Sequence, residues 1–141
     1  MTAPIIEISD HANPDAERLL GSGLAAFNEG VTGYNDRLPL TVLIKDPETR
    51  QVIGGITGKT TLGMAFLDLF HVPATLRGTG LGSRLLQAFE DEARRRGCLN
   101  AVLYTISFQA PGFYEKNGWV RFGEIPCAPE GSSRVFMSKR L

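Results

Sequence analysis

The stretch Arg77-Gly78-Thr79-Gly80-Leu81-Gly82 has residue types suited to one piece of chemistry, the holding of a phosphate. An apolar run, Met64 to Val72, precedes it and reads as a strand. Leu81, Leu85, Leu86, Phe89 and Ala93 follow it on one stripe of a helix. Glycines in a strand-to-helix turn let several backbone N–H groups converge, and the helix N-terminus adds a partial positive charge. An arginine at the mouth of such a turn can add a charge-assisted contact. The turn ends Gly82-Ser83-Arg84, without the Lys-Ser/Thr pair of a P-loop. Glycines at 78, 80 and 82 also miss the dinucleotide fingerprint, which follows a first parallel strand. On these residues alone, glycines that merely permit a tight turn remain an equal reading.

The elements that would position this turn can be read in order. Ile5 to Ile8 reads as a first strand. Asn13 and Pro14 suit the N-cap and first turn of a helix, with Leu19, Leu20, Leu24 and Phe27 as its apolar stripe. Residues 30–39 are turn-rich and read as irregular or a short helix. Leu40 to Lys45 is a strand, residues 46–49 a turn, and Gln51 to Gly58 the return strand. Lys59-Thr60 reads as the next turn and Thr61 to Val72 as a long third strand. A helix from about Gly80 to Arg96 ends at Gly97, suited to a left-handed C′ position. Asn100 to Ser107 is a strand, Ala110 to Asn117 a short helix, and Trp119 to Ile125 and Ser133 to Arg140 two final strands. The order predicts an α+β fold of the three-layer α/β type. Its sheet is mixed and mostly antiparallel, with about six to seven strands and flanking helices.

With 141 residues the chain reads as a single domain, 1–141, large enough for a real core. Fifteen basic residues balance fifteen acidic ones, which argues against a general nucleic-acid binder. The basic run Arg94-Arg95-Arg96 falls where it complements a helix dipole. Cys98 and Cys127 have no metal-ligand spacing and no nearby histidine, so no metal is expected. The N-terminus lacks a signal-peptide pattern and no apolar run is long enough for a helical span; a cytoplasmic protein with no membrane partner is the expectation.

From about Leu40 onward the chain resembles the GNAT acetyltransferase superfamily. R-x-x-G-x-G is met by Arg77, Gly80 and Gly82. A crossover helix and strand follow. A-x-x-F-Y-E-x-x-G-[FWY] is met by Ala110, Phe113, Tyr114, Glu115, Gly118 and Trp119. The resemblance implies that acetyl-CoA is the co-substrate. Its pyrophosphate would lie on Arg77, Gly78, Thr79, Gly80, Leu81, Gly82 and Ser83. Its pantetheine arm would pair with the backbone of Phe70, His71 and Val72. Many members carry an asparagine three residues before the motif's alanine, against the same arm; here that position is Ser107.

The implied reaction is acetyl transfer from the thioester to a primary amine by direct attack in a ternary complex. Tyr114, at the family's position for a tyrosine acid, would protonate the leaving thiolate; a phenol is neutral near pH 7 and has the proton to give. A backbone N–H, that of Phe70, would stabilise the oxyanion. Asp68 is the charged residue of an apolar strand, and alternation puts Phe66, Asp68 and Phe70 on one face. It is the first candidate base, with a role at a bulge or in an ion pair as the equal alternative; His71 is the second. The acceptor regions are roughly residues 24–39 and 126–133, and their mixed charges select no amine. A small metabolite is the first expectation. A protein acceptor, another acyl group, or a CoA-binding sensor without catalysis are the alternatives. Trp119, Phe122, Val135, Phe136 and Met137 offer apolar surface for a homodimer, or else pack the core.

Overall fold

The computed structural model describes residues 2–141. Residues up to Asn35 and residues 36–141 form two compact units. In the first, helix α1 spans Pro14–Thr32. Asn13 caps it as its side chain accepts from the Ala16 N–H, and Pro14 fills the first turn. Gly33 closes it with φ of 85°, donating its N–H to the Glu29 carbonyl. Ile5 to Ile8, expected as a strand, are not one: they lie exposed without a strand partner. Apolar content alone does not make a strand where no neighbour completes the ladder.

The second unit carries one sheet. Its strands are β1 (Leu38–Lys45), β2 (Val52–Thr61), β3 (Met64–His71), β4 (Asn100–Ile106), β5 (Val120–Pro126) and β6 (Ser133–Arg140). They run in the order β1-β2-β3-β4-β6-β5. Neighbours pair antiparallel except β3 and β4, which are parallel and joined through helix α2 (Leu81–Arg95). A short helix α3 (Pro111–Lys116) links β4 to β5. The mixed six-stranded sheet with flanking helices is the architecture expected from the sequence.

Alternation explains which side is packed. Leu40, Ile56, Ala65, Leu67, Leu103, Val135 and Met137 point to one face and are buried there with Leu85, Leu86, Phe89 and Ala93 of α2. Each of the larger side chains removes apolar area worth about 1.5–3 kcal/mol from water, and the alanines less. Arg96, just past α2, pins the helix end to the sheet: its Nη1 donates to the Pro39 carbonyl and to Thr60 Oγ1. Hydrogen bonds from Arg95 and Arg96 hold the Glu92 carboxyl well below its ordinary range, at about 2.

Two details depart from the sequence reading. The β2–β3 turn is not Lys59-Thr60, which lie in β2, but Leu62-Gly63, with φ of 48° and 79°. Positive φ at both central residues is the hairpin geometry that matches strand twist. Asp36 Oδ1 accepts the Leu62 N–H and holds the turn. Between Thr57 and Gly58 the register also slips: Thr57 faces Leu69 while Gly58 faces Leu67. Asp68 is therefore the extra residue of a β-bulge. The bulge reverses the alternation, so Phe70 joins the side of Ala65 and Leu67 rather than that of Phe66. Of the residues read as a possible dimer surface, Trp119, Val135 and Met137 pack the core. Phe122 is exposed and stacks near Phe136, which in turn meets Tyr104 across the strands. Among the described residues no helix is long and apolar enough to cross a membrane.

Candidate active site

β3 and β4 pair only from Met64–Asn100 to Phe66–Val102. Beyond that they separate, and each keeps its other neighbour: β3 stays on β2 and β4 on β6. A slot therefore opens in the middle of the sheet, with strand edges on both sides that lack their in-sheet partner. The slot widens into a cleft of about 860 Å³. Phe70 and His71 line it from the end of β3 with Val72 just beyond, Thr105 from β4 with Phe108 and Gln109 just past its end, and Phe113 and Tyr114 from α3.

Arg77, Gly78, Gly80, Gly82 and Ser83 close one end. Gly78 and Gly80 have φ of 77° and 82°, and a Cβ on either would meet open space, not protein. Glycine is needed here for backbone conformation, and it leaves room for a ligand close to the chain. Gly80 caps α2 without a side-chain hydrogen bond, so no cap side chain satisfies the first-turn N–H groups. Arg77 is anchored through Nε to the Val72 carbonyl at 2.9 Å, and Thr79 Oγ1 donates to the Leu76 carbonyl. The arginine thus ties the glycine turn to the end of β3. Gly82 lies under the Phe113 ring, 3.4 Å from where its Cβ would stand, so the turn and α3 are in contact.

Tyr114 is buried at 6% exposure. Its ring meets Phe70, Phe113 and Trp119 edge-on, at centroid distances of 6.2, 5.3 and 6.0 Å. Burial among these rings disfavours the phenolate and pushes the phenol up to about 12 from its ordinary 10.0. The unfolded chain ionises Tyr114 first as pH rises, so stability present below pH 10.0 is lost on the way to about 12. Two units correspond to roughly 2–3 kcal/mol. Urea unfolding across that range should record this loss, and Tyr114→Phe should lack it.

Most of the residues expected around a co-substrate meet in this cleft; Thr79, Leu81 and Ser107 do not line it. Leu81 packs on the core. Ser107 is engaged elsewhere: its N–H donates to the Ser133 carbonyl and its hydroxyl accepts the Ser133 N–H, fastening the start of β6. Asp68 is exposed at its bulge and does not line the cleft, whereas His71 does. Gln109, Thr105 and Phe108 were not expected. The Gln109 side-chain carbonyl accepts from the Ile106 N–H and from Thr105 Oγ1, and so occupies the β4 edge of the slot. Gln109 sits next to the motif's Ala110, which is the signal that could have drawn attention to it.

A slot whose β3 edge lacks a strand partner, with a Cβ-free, anion-favouring turn at one end, fits a long amide-bearing thioester with a pyrophosphate. Known proteins agree. The sequence profile of the acetyltransferase (GNAT) family matches residues 8–119. An acetyltransferase of Agrobacterium fabrum is 33% identical over 134 residues, covering 95% of this chain and 97% of that one. Blasticidin-S acetyltransferase of Streptomyces morookaense is 38% identical over 95 residues, covering 67% of this chain and 70% of the relative. A crystal structure from Agrobacterium tumefaciens is similar with a TM-score of 0.86 and 32% identity, over 98% of this chain and 100% of that one. The fold and the cleft define an acyltransferase. The chain belongs to the acetyltransferase (GNAT) family, and acetyl-CoA is its co-substrate.

Proposed function

We propose that this protein transfers the acetyl group of acetyl-CoA to a primary amine of a small metabolite, by direct attack within a ternary complex. The observation that carries this reading is the meeting of Tyr114, the end of β3 and the glycine turn around one cleft. The pyrophosphate lies on the backbone of Gly78, Gly80, Gly82 and Ser83, with Arg77 at the mouth. The pantetheine arm runs along Phe70 to Val72 and takes the place of a strand. The amine nitrogen attacks the thioester carbon, the Phe70 N–H stabilises the oxyanion, and the C–S bond breaks. The thiolate takes the Tyr114 proton. The rings that disfavour a phenolate equally disfavour a bare thiolate, so donor and acceptor are pushed in the same direction.

Of the two base candidates His71 lines the cleft and Asp68 faces solvent, so removal of the amine proton falls to His71. A neutral imidazole nitrogen has a lone pair that can take that proton. Asp68 then serves the bulge and not the reaction. A small acceptor is supported by the relative whose name gives blasticidin S as what is acetylated. It is further supported by the loop before β6, which is closed on itself: Arg134 Nη1 donates to Cys127 Sγ and Ser133 Oγ to Glu124 Oε1.

Release of free CoA thiol, measured with a panel of amines, tests the reading. Turnover on small amines above the rate of hydrolysis is expected; CoA binding without turnover on any amine would reduce the protein to a sensor. Gly80→Val bears on the donor half. A β-branched side chain at φ of 82° is strained, and it projects where the phosphates would lie. The expected result is a KM for acetyl-CoA raised about tenfold or more, equivalent to roughly 1.4 kcal/mol, with kcat at saturation little changed.

A further inference from the structure

Glu90 is a carboxylate at 1% exposure in the hydrophobic stripe of α2, and the reaction described above does not use it. Burying a carboxylate is costly unless charges and donors surround it. Three groups do so. Trp119 Nε1 donates to Oε2 at 3.2 Å. Lys139 Nζ, from β6, stands 2.6 Å from Oε1, and Arg94 Nη2 lies at 3.6 Å. Oε1 is served by this charge attraction and not by a directed hydrogen bond.

What Glu90 holds leads to α3. Lys139 Nζ also donates to the Asn117 carbonyl at 2.7 Å, at the C-cap of α3. Asn117 Nδ2 in turn donates to the Phe113 carbonyl, and the Trp119 N–H to the Tyr114 carbonyl. The Trp119 ring itself lies edge-on against the Tyr114 ring. Both props of α3, the indole and the ammonium, therefore end on one carboxylate. α3 is only six residues long and its N-cap lacks a side-chain hydrogen bond, so it has little means of holding its own place.

We propose that Glu90 is a positioning residue for the reaction: through Trp119 and Lys139 it fixes α3 and thereby where the Tyr114 hydroxyl stands over the leaving sulfur. The proposal rests on Tyr114 being the acid. A small displacement of a reacting group costs up to about 100-fold, so Glu90→Gln, which keeps the indole bond and removes the charge, should lower kcat about tenfold. KM for acetyl-CoA should stay within about twofold, because the glycine turn and β3 are untouched.

The test is a cycle of Glu90→Gln and Tyr114→Phe, read in kcat on the folded enzyme. If Glu90 acts through Tyr114, Glu90→Gln costs about tenfold in the native background and almost nothing in Tyr114→Phe, where no proton remains to be placed. Equal losses in both backgrounds would overturn the proposal and leave the acid intact, since a general loosening of the fold lowers both. An unchanged kcat in Tyr114→Phe alone would remove the acid and the proposal with it. Should Glu90→Gln fail to fold, Trp119→Phe keeps a ring against Tyr114 but loses the bond to Glu90, and the same cycle applies.

Discussion

Tyr114→Phe should keep acetyl-CoA binding and lose at least about tenfold in kcat, toward the roughly 100-fold lower end of what general acid catalysis contributes. The ring contacts to Phe70, Phe113 and Trp119 survive the change, because a phenylalanine occupies the same space. What disappears is the proton for the thiolate. Calorimetry with CoA reads the binding half, and single-turnover thiol release reads the chemical half. The pH profile adds a sign. A phenol held up to about 12 stays protonated throughout the usual assay range. The native enzyme should therefore show no fall in kcat from loss of its acid near pH 10, where an ordinary tyrosine would ionise. A descending limb at that pH, absent from Tyr114→Phe, would contradict the buried placement. Unchanged turnover in the variant would remove Tyr114 from the mechanism.

Gly58→Ala should leave little folded protein. A Cβ at this position would stand 2.1 Å from the Phe66 carbonyl oxygen and 3.1 Å from the Phe89 ring. The first contact is with backbone, which has no rotamer to escape into. The strand pair would have to separate, and Phe89, wholly buried, would have to shift with it. Large losses of stability arise from such forced rearrangements, and a cost of roughly 4–5 kcal/mol or more is expected. Set against a total of about 5–15 kcal/mol, that is from about a third of the protein's margin to nearly all of it. Soluble yield and the urea midpoint measure it. Gly58 faces the segment that carries the Asp68 bulge, so any partly folded product should also have lost the orientation of Phe70.

The sequence carried the helices and the later strands because their signals are local. Asn13 and Pro14 mark a helix start, Gly97 adopts φ of 84° where a C′ residue was expected, and the centre of Ser133–Arg140 alternates buried Val135 and Met137 with half-buried neighbours. The failures share a different cause. Ile5 to Ile8 had the composition of a strand, but a strand needs a neighbour, which no local window supplies. The turn at Leu62-Gly63 was hidden because leucine rarely takes φ of 48°, and the Asp36 carboxylate that receives its N–H lies 26 residues away. The bulge at Asp68 is a relation between two strands, and neither strand alone encodes it visibly. It changed the candidate site more than any other detail: strict alternation had put Asp68 beside Phe70, and the slip separates them. Glu90 was legible in one respect. It follows Phe89 and stands four residues after Leu86, inside the apolar arc, where a carboxylate requires an explanation.

The three-residue seam between β3 and β4 has a thermodynamic consequence. It is the parallel joint of the sheet, and past it the two halves, β1-β2-β3 and β4-β6-β5, share no ladder. A ligand lying in the slot and pairing with the β3 edge would act as a seventh strand, made of a molecule the cell supplies. The protein's resistance to unfolding is then partly set by the ambient CoA concentration: at a hundred times the dissociation constant, occupancy adds about 2.7 kcal/mol. Starved of its co-substrate, the enzyme would lose more than turnover, because the ladder between the sheet's halves would then rest on the three-residue seam alone.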